Sequence, residues 1–202
     1  MSRATKISRK TRELRATLWP DVNFKTELWD RHTDNGFITV PRTMPLIISI
    51  IDDLTKGAPA GSTYLELWCR SFDEMYVSLS KQRELAFNSG FIGQRAERTW
   101  GDKIRKLDAL GFISVKGGQA GPLSHALIFN PYFVIRRLRE SGHAGVSKDK
   151  FNALVERAIE IGATHQEPAP VVEATEDAKP DAKPAVGKLP TRKKPVPSKS
   201  AA

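Results

Sequence analysis

Gln94, Arg95, Arg98, Thr99, Asp102, Arg105 and Lys106 recur at helical spacing, opposite an apolar row of Ala96, Trp100, Ile104 and Leu107. The chemistry such a face can do is recognition of a polyanion. An arginine forks onto guanine and a glutamine onto adenine, and both lie at the N-terminal end of the run. Arg105 and Lys106, further along, suit phosphate. A helix start also offers free N–H groups to a phosphate. Lys81 precedes this face. Lys116, Gln119 and Ser124 follow it in a glycine-rich stretch from Lys116 to His125, from which they can reach backbone or minor groove.

Catalytic and cofactor chemistry finds no foothold. Gly117-Gly118-Gln119-Ala120-Gly121 lacks the lysine and serine or threonine that complete a phosphate-binding loop. His32, His125, His143 and His165 have no paired spacing, and a single cysteine makes a zinc site unexpected. Asp52-Asp53 and Asp73-Glu74 are adjacent acids that point to different helix faces and read as solvated. Cys69 falls on an apolar helix face and reads as a buried, inert thiol. No catalytic residue, metal or cofactor is expected.

The elements that must position the basic face follow from caps and periodicity. Residues 2–18 suit a basic helix ended by Pro20, and Asp34-Asn35-Gly36 suits a turn before a short strand or extended segment over Phe37–Val40. Thr43 with Pro45 opens a buried helix through Met44, Ile47, Ile48, Ile51 and Leu54. Thr63 and Glu66 have capping-box spacing. A short strand over Met75–Leu79 precedes Ser80, a natural N-cap for a helix over about 81–89. Gly90 then supplies a left-handed turn, with Phe91 or Ile92 plugging the corner. Gly111 stops the basic helix. Two strands follow, one over Gly111–Val115 and one over His125–Phe129, with a mobile loop between them. Pro131 begins a helix with Val134, Ile135 and Leu138 on one face. Ser147 caps a last one carrying Phe151, Leu154, Val155, Ala158 and Ile159.

The order of these elements resembles the winged helix-turn-helix superfamily, in the manner of MarR- or GntR-type regulators and plasmid replication initiators. The resemblance rests on Val77-Ser78-Leu79-Ser80, Leu85-Ala86, Gly90-Phe91 and Leu107-Asp108-Ala109-Leu110-Gly111-Phe112-Ile113, within residues 63–129. It implies a mainly α fold with a small antiparallel β-wing, flanked by extra N- and C-terminal helices. It also implies sequence-directed binding of double-stranded DNA, usually by a homodimer. Four regions are expected: a basic arm over 1–36, a winged DNA-binding domain over 37–142, an amphipathic helix over 143–163 and a disordered tail over 164–202.

The totals agree with that reading. Across 202 residues the net charge is +9 and the pI about 9.8, which favours a polyanionic partner. Hydrophobic residues make up 40%, as suits a folded part joined to a polar tail. Beyond Ala163 the composition turns to Ala, Pro, Lys, Glu and Thr, too polar to offset chain entropy. The longest apolar stretch, Met44 to Ile51, is too short to cross a bilayer, and no signal core is present. A cytoplasmic, nucleoid-associated, non-enzymatic protein is expected. Its first role is transcriptional regulation. Replication or maintenance of a plasmid or phage is the second, and a winged protein-interaction module the third. The tail is a candidate contact for other proteins.

Overall fold

The computed structural model describes residues 3–163, with side chains from Arg9 onward; the expected disordered tail lies outside the described residues. Seven helices and a three-stranded antiparallel sheet are present among them. In chain order these are α1 (Arg3–Leu18), α2 (Met44–Leu54), α3 (Gly61–Arg70), β1 (Tyr76–Ser78), α4 (Gln82–Asn88), α5 (Ala96–Leu110), β2 (Ile113–Gly118), β3 (Gly121–Ile128), α6 (Pro131–Glu140) and α7 (Lys148–Glu160). The sheet order is β1-β3-β2, so the strand before α4 closes onto the far strand of the hairpin that follows α5. This arrangement is compatible with a winged helix.

One core binds the elements from α2 to α7. Ile47, Ile50 and Ile51 of α2, Tyr64 and Leu67 of α3, Leu85 of α4, Trp100, Ile104 and Leu107 of α5, and Phe112 and Ile113 leading into the hairpin are all essentially inaccessible. The apolar row expected on α5 is thus its core face, except that Ala96 is only half-buried. Val134 and Ile135 of α6 and Leu154 of α7 enter the same core, so the last two helices pack on this chain. Lys150 fixes α7 to α2 through Asp53 at 2.5 Å and the Ser49 carbonyl at 3.3 Å. Val155 and Ile159, expected on the buried row, stay exposed.

Several local expectations are corrected. Phe37–Val40 forms no strand; it is tied down where the Trp68 indole N–H donates to the Thr39 carbonyl. Thr43 stands before α2 without capping it, and its hydroxyl bonds the Tyr132 hydroxyl. Thr63 is no cap, because α3 already begins at Gly61. The Gly61 N–H donates to Asp52 Oδ1, an acceptor supplied by α2, while Glu66 turns to Arg70 and Asn88. Asp52 and Asp53 therefore bear on packing and are not simply solvated. Ser80 hydrogen-bonds Ser78, and α4 begins one residue later without a side-chain cap. Cys69 is exposed, not buried; partial desolvation pushes its thiol pKa up and Glu66 adds to the effect. Ser147 does cap α7, accepting from Lys150 N; α6 begins at Pro131 as expected, and Asn130 before it is its cap, accepting from Tyr132 N.

Candidate nucleic-acid interface

α4 and α5 meet through a turn that the sequence dictates closely. Ala86, wholly buried, allows the two helices to approach, and its carbonyl accepts the Phe91 N–H at 3.0 Å. Gly90 and Gly93 hold φ of +91° and +85°, values that an L side chain adopts only with strain. Phe91 packs against the core and plugs the corner. Ile92 does not, at 80% exposure. Arg70 holds α4 from behind, reaching Glu66 at 2.6 Å and Glu84 at 2.8 Å.

α5 begins at Ala96, so Gln94 and Arg95 precede it, with Arg95 at the N-cap position. No side chain caps this end; the Ala96 N–H meets the Gly93 carbonyl at 3.2 Å, and the first-turn amides after it are open to an incoming acceptor. Gln94, Arg95, Arg98, Asp102 and Arg105 are exposed, and Thr99 and Lys106 are half-buried on the same side of the helix. At the other end Gly111 takes φ +79° and turns the chain into β2.

The hairpin differs from expectation. Its strands run to Gly118 and from Gly121, which face each other, so only Gln119 and Ala120 form the turn. The stretch from Lys116 to His125 is therefore mostly strand. Lys116 and Gln119 are exposed near its end. Ser124 is corrected: it is buried, and its hydroxyl donates to the Gly121 carbonyl, so it is withheld from any partner. His125, expected at a strand start, lies inside β3 and bonds the Tyr76 hydroxyl across to β1. The hairpin tip lies close to α4 and α5, since Ala120 lines one shallow cleft with Lys81, Arg83, Phe87 and Glu97.

The acids of this region are mostly occupied within the fold. Glu84 is shared by Arg70 and Lys81, and its carboxyl is held below the usual range first by the Arg70 hydrogen bond and then by Lys81. Asp102 pairs with Arg105 at 2.9 Å. Asp108 accepts the Val115 N–H, joining α5 to β2. Arg83, Arg95, Arg98, Lys106 and Lys116 have no acidic partner among the described residues, and Glu97 is the neighbouring acid left without one. Of the residues expected to meet DNA, Gln94, Arg95, Arg98, Lys116 and Gln119 are thus exposed and uncommitted. Lys81, Asp102 and Arg105 are exposed but engaged in ion pairs. Arg83 escaped sequence reading. Its signal was the step of four to Phe87, which places both on the outer side of α4.

A second lysine on α5 behaves differently. Lys103 is buried, with its ammonium 5.9 Å from the centre of the Phe91 ring. It braces the corner and is unavailable to a ligand. Among the described residues, no group of three or more His, Cys, Asp or Glu is disposed to hold a metal ion, and no helix is long and apolar enough to cross a membrane. No protein-family model, curated protein or solved structure matches the chain.

Proposed function

We propose that this chain binds double-stranded DNA through a winged helix-turn-helix formed by α4, α5 and the β2–β3 hairpin, and that it regulates transcription without enzymatic activity. The observation that supports this most is the charge arrangement. Uncommitted arginines crowd the uncapped start of α5, while the nearby acids other than Glu97 are engaged within the fold. An ordinary solvated helix face has no such need to spare its cations. Arg95 and Arg98 read base edges in the major groove, Gln94 assists, and Lys116 and Gln119 on the hairpin lie along the backbone.

The test is binding to a fluorescent duplex recovered by the protein from a random-sequence pool. Replacing Arg95 and Arg98 together with alanine should cost about 1–3 kcal/mol for each base edge that goes unread. Both side chains are exposed, so the melting temperature should not change. Wild-type affinity in the double variant would remove the α5 face from the interface.

A further inference from the structure

Phe87 and Ile92 are two of the large apolar side chains that the fold leaves exposed, and the two that flank the turn into α5. Phe87 is 66% exposed on α4 and Ile92 is 80% exposed in the turn before α5. Neither contributes to the core, although Phe91 beside them does. They line one shallow cleft together with Arg83, Gln94 and Glu97, at the tip from which α5 starts. Exposed apolar side chains of this size mark a contact surface when they cluster. Two side chains fall far short of the roughly 800 Å² that each partner of a stable protein complex buries. Arg83 lines the same cleft and Arg95 stands three residues beyond Ile92; these two uncommitted cations outnumber the one unpaired carboxylate there, Glu97, a balance that favours a polyanion.

We infer that Phe87 and Ile92 form a thymine-reading subsite, packing against the C5-methyl groups that thymine presents in the major groove. The inference rests on the DNA-binding reading above. The major groove offers few apolar atoms to a side chain, and the thymine methyl is the prominent one. Gln94, between Ile92 and α5, is placed to take the adenine of the same or an adjoining pair by its amide. The tip of α5 thereby distinguishes A·T pairs by two independent chemistries, an apolar contact and an amide fork. Arg98 further along the helix is left for guanine.

Deoxyuridine provides the test, because it keeps every hydrogen-bonding group of thymidine and lacks only the methyl. Duplexes recovered by the wild-type protein from a random pool are resynthesised with dU in place of dT, and dissociation constants are compared for wild type and for Phe87→Ala/Ile92→Ala. Wild type should bind about four-fold more weakly for each bound methyl removed. The double variant should bind the dT duplex more weakly than wild type does, and bind dT and dU duplexes alike. Circular dichroism and melting confirm that its fold is intact. Equal wild-type affinity for both duplexes overturns the thymine assignment while leaving DNA binding in place. Full dU sensitivity retained by the double variant also overturns it, since the methyl is then read elsewhere. Recovery of no duplex by the wild-type protein ends the DNA-binding reading itself, and the thymine subsite with it.

Discussion

Thr63 is wholly buried on α3, and its hydroxyl has no hydrogen-bond partner among the described residues. A buried hydroxyl left unmet costs about 1–3 kcal/mol, and valine fills the same volume without it. Thr63→Val is therefore expected to raise stability by roughly 1 kcal/mol, seen as a higher urea midpoint at unchanged slope; a lower midpoint would mean that the hydroxyl is satisfied after all. Thr55 supplies the contrast. It donates to the Ile51 carbonyl and accepts the Ala60 N–H, so the same change there should destabilise. Lys103 carries a second residue-scale consequence. Burial pushes its ammonium pKa below the usual lysine value, Lys106 adds to this, and Asp52 and Asp102 oppose it. The charged form is thus less welcome in the fold than in the unfolded chain. Between the lowered value and the ordinary 10.5, the unfolded chain binds more protons, and stability rises with pH. Lys103→Met should abolish that alkaline rise in the unfolding midpoint. If the rise persists in the variant, another group causes it.

Between α2 and α3 the decisive contact is one that no local pattern reveals. α3 begins where Asp52 of α2 accepts the Gly61 N–H at 2.7 Å, nine residues away in sequence. Thr63 and Glu66 have capping-box spacing, yet the same spacing occurs inside any helix, and here it lies within the first two turns. A Cβ at Gly61 would stand 2.6 Å from Ile48 Cγ2 and 2.8 Å from Asp52 Oδ1. Alanine favours a helix over glycine by about 0.5–1 kcal/mol, whereas forcing atoms into a packed contact costs about 1–3 kcal/mol. Gly61→Ala should therefore lower stability despite its better propensity, and a rise in melting temperature would show that α2 and α3 separate easily. What was legible and what was not divides along the same line. The α5 stripe of Trp100, Ile104 and Leu107, the Gly111 stop and the Pro131 and Ser147 starts depend on neighbours a turn away, so the sequence displays them. Gly117, Gly118 and Gly121 look like loop in the sequence, although Gly118 and Gly121 face each other across antiparallel strands. Ser124 was misassigned for the same reason. Once β3 begins at Gly121, strand parity turns that side chain inward. The exposed arginines of the candidate interface could be read from helical spacing. The pairing of Asp102 with Arg105, and the use of Glu84 by Arg70, required the assembled helices.

At the scale of the chain, the question is how the basic N-terminal segment relates to the folded part. The described side chains of α1, from Arg9 to Leu18, are exposed apart from Arg15, whose guanidinium lies over the Phe24 ring. A helix of 16 residues gains little stability from its own hydrogen bonds alone. Its removal should cost the core nothing. The first eighteen residues nevertheless hold Arg3, Lys6, Arg9, Lys10, Arg12 and Arg15 against Glu13 alone. On DNA, each cation that neutralises a phosphate steepens the fall of log affinity with log salt by about 0.9. With Arg95 and Arg98 on base edges, the three other uncommitted cations, Arg83, Lys106 and Lys116, should make affinity fall roughly forty-fold between about 50 and 200 mM salt if each meets a phosphate. With the arm engaged as well, the fall is steeper. Deleting residues 1–18 should thus leave the melting temperature within about 2 °C of the full chain, while the salt dependence becomes shallower by an amount that counts the arm's phosphate contacts. Both quantities come from one pair of proteins, by thermal melting and by duplex titration at several salt concentrations. A shallower slope with an unchanged melt makes α1 a DNA-binding arm. An unchanged slope makes its charge irrelevant to DNA, and a lowered melt shows that α1 supports the core.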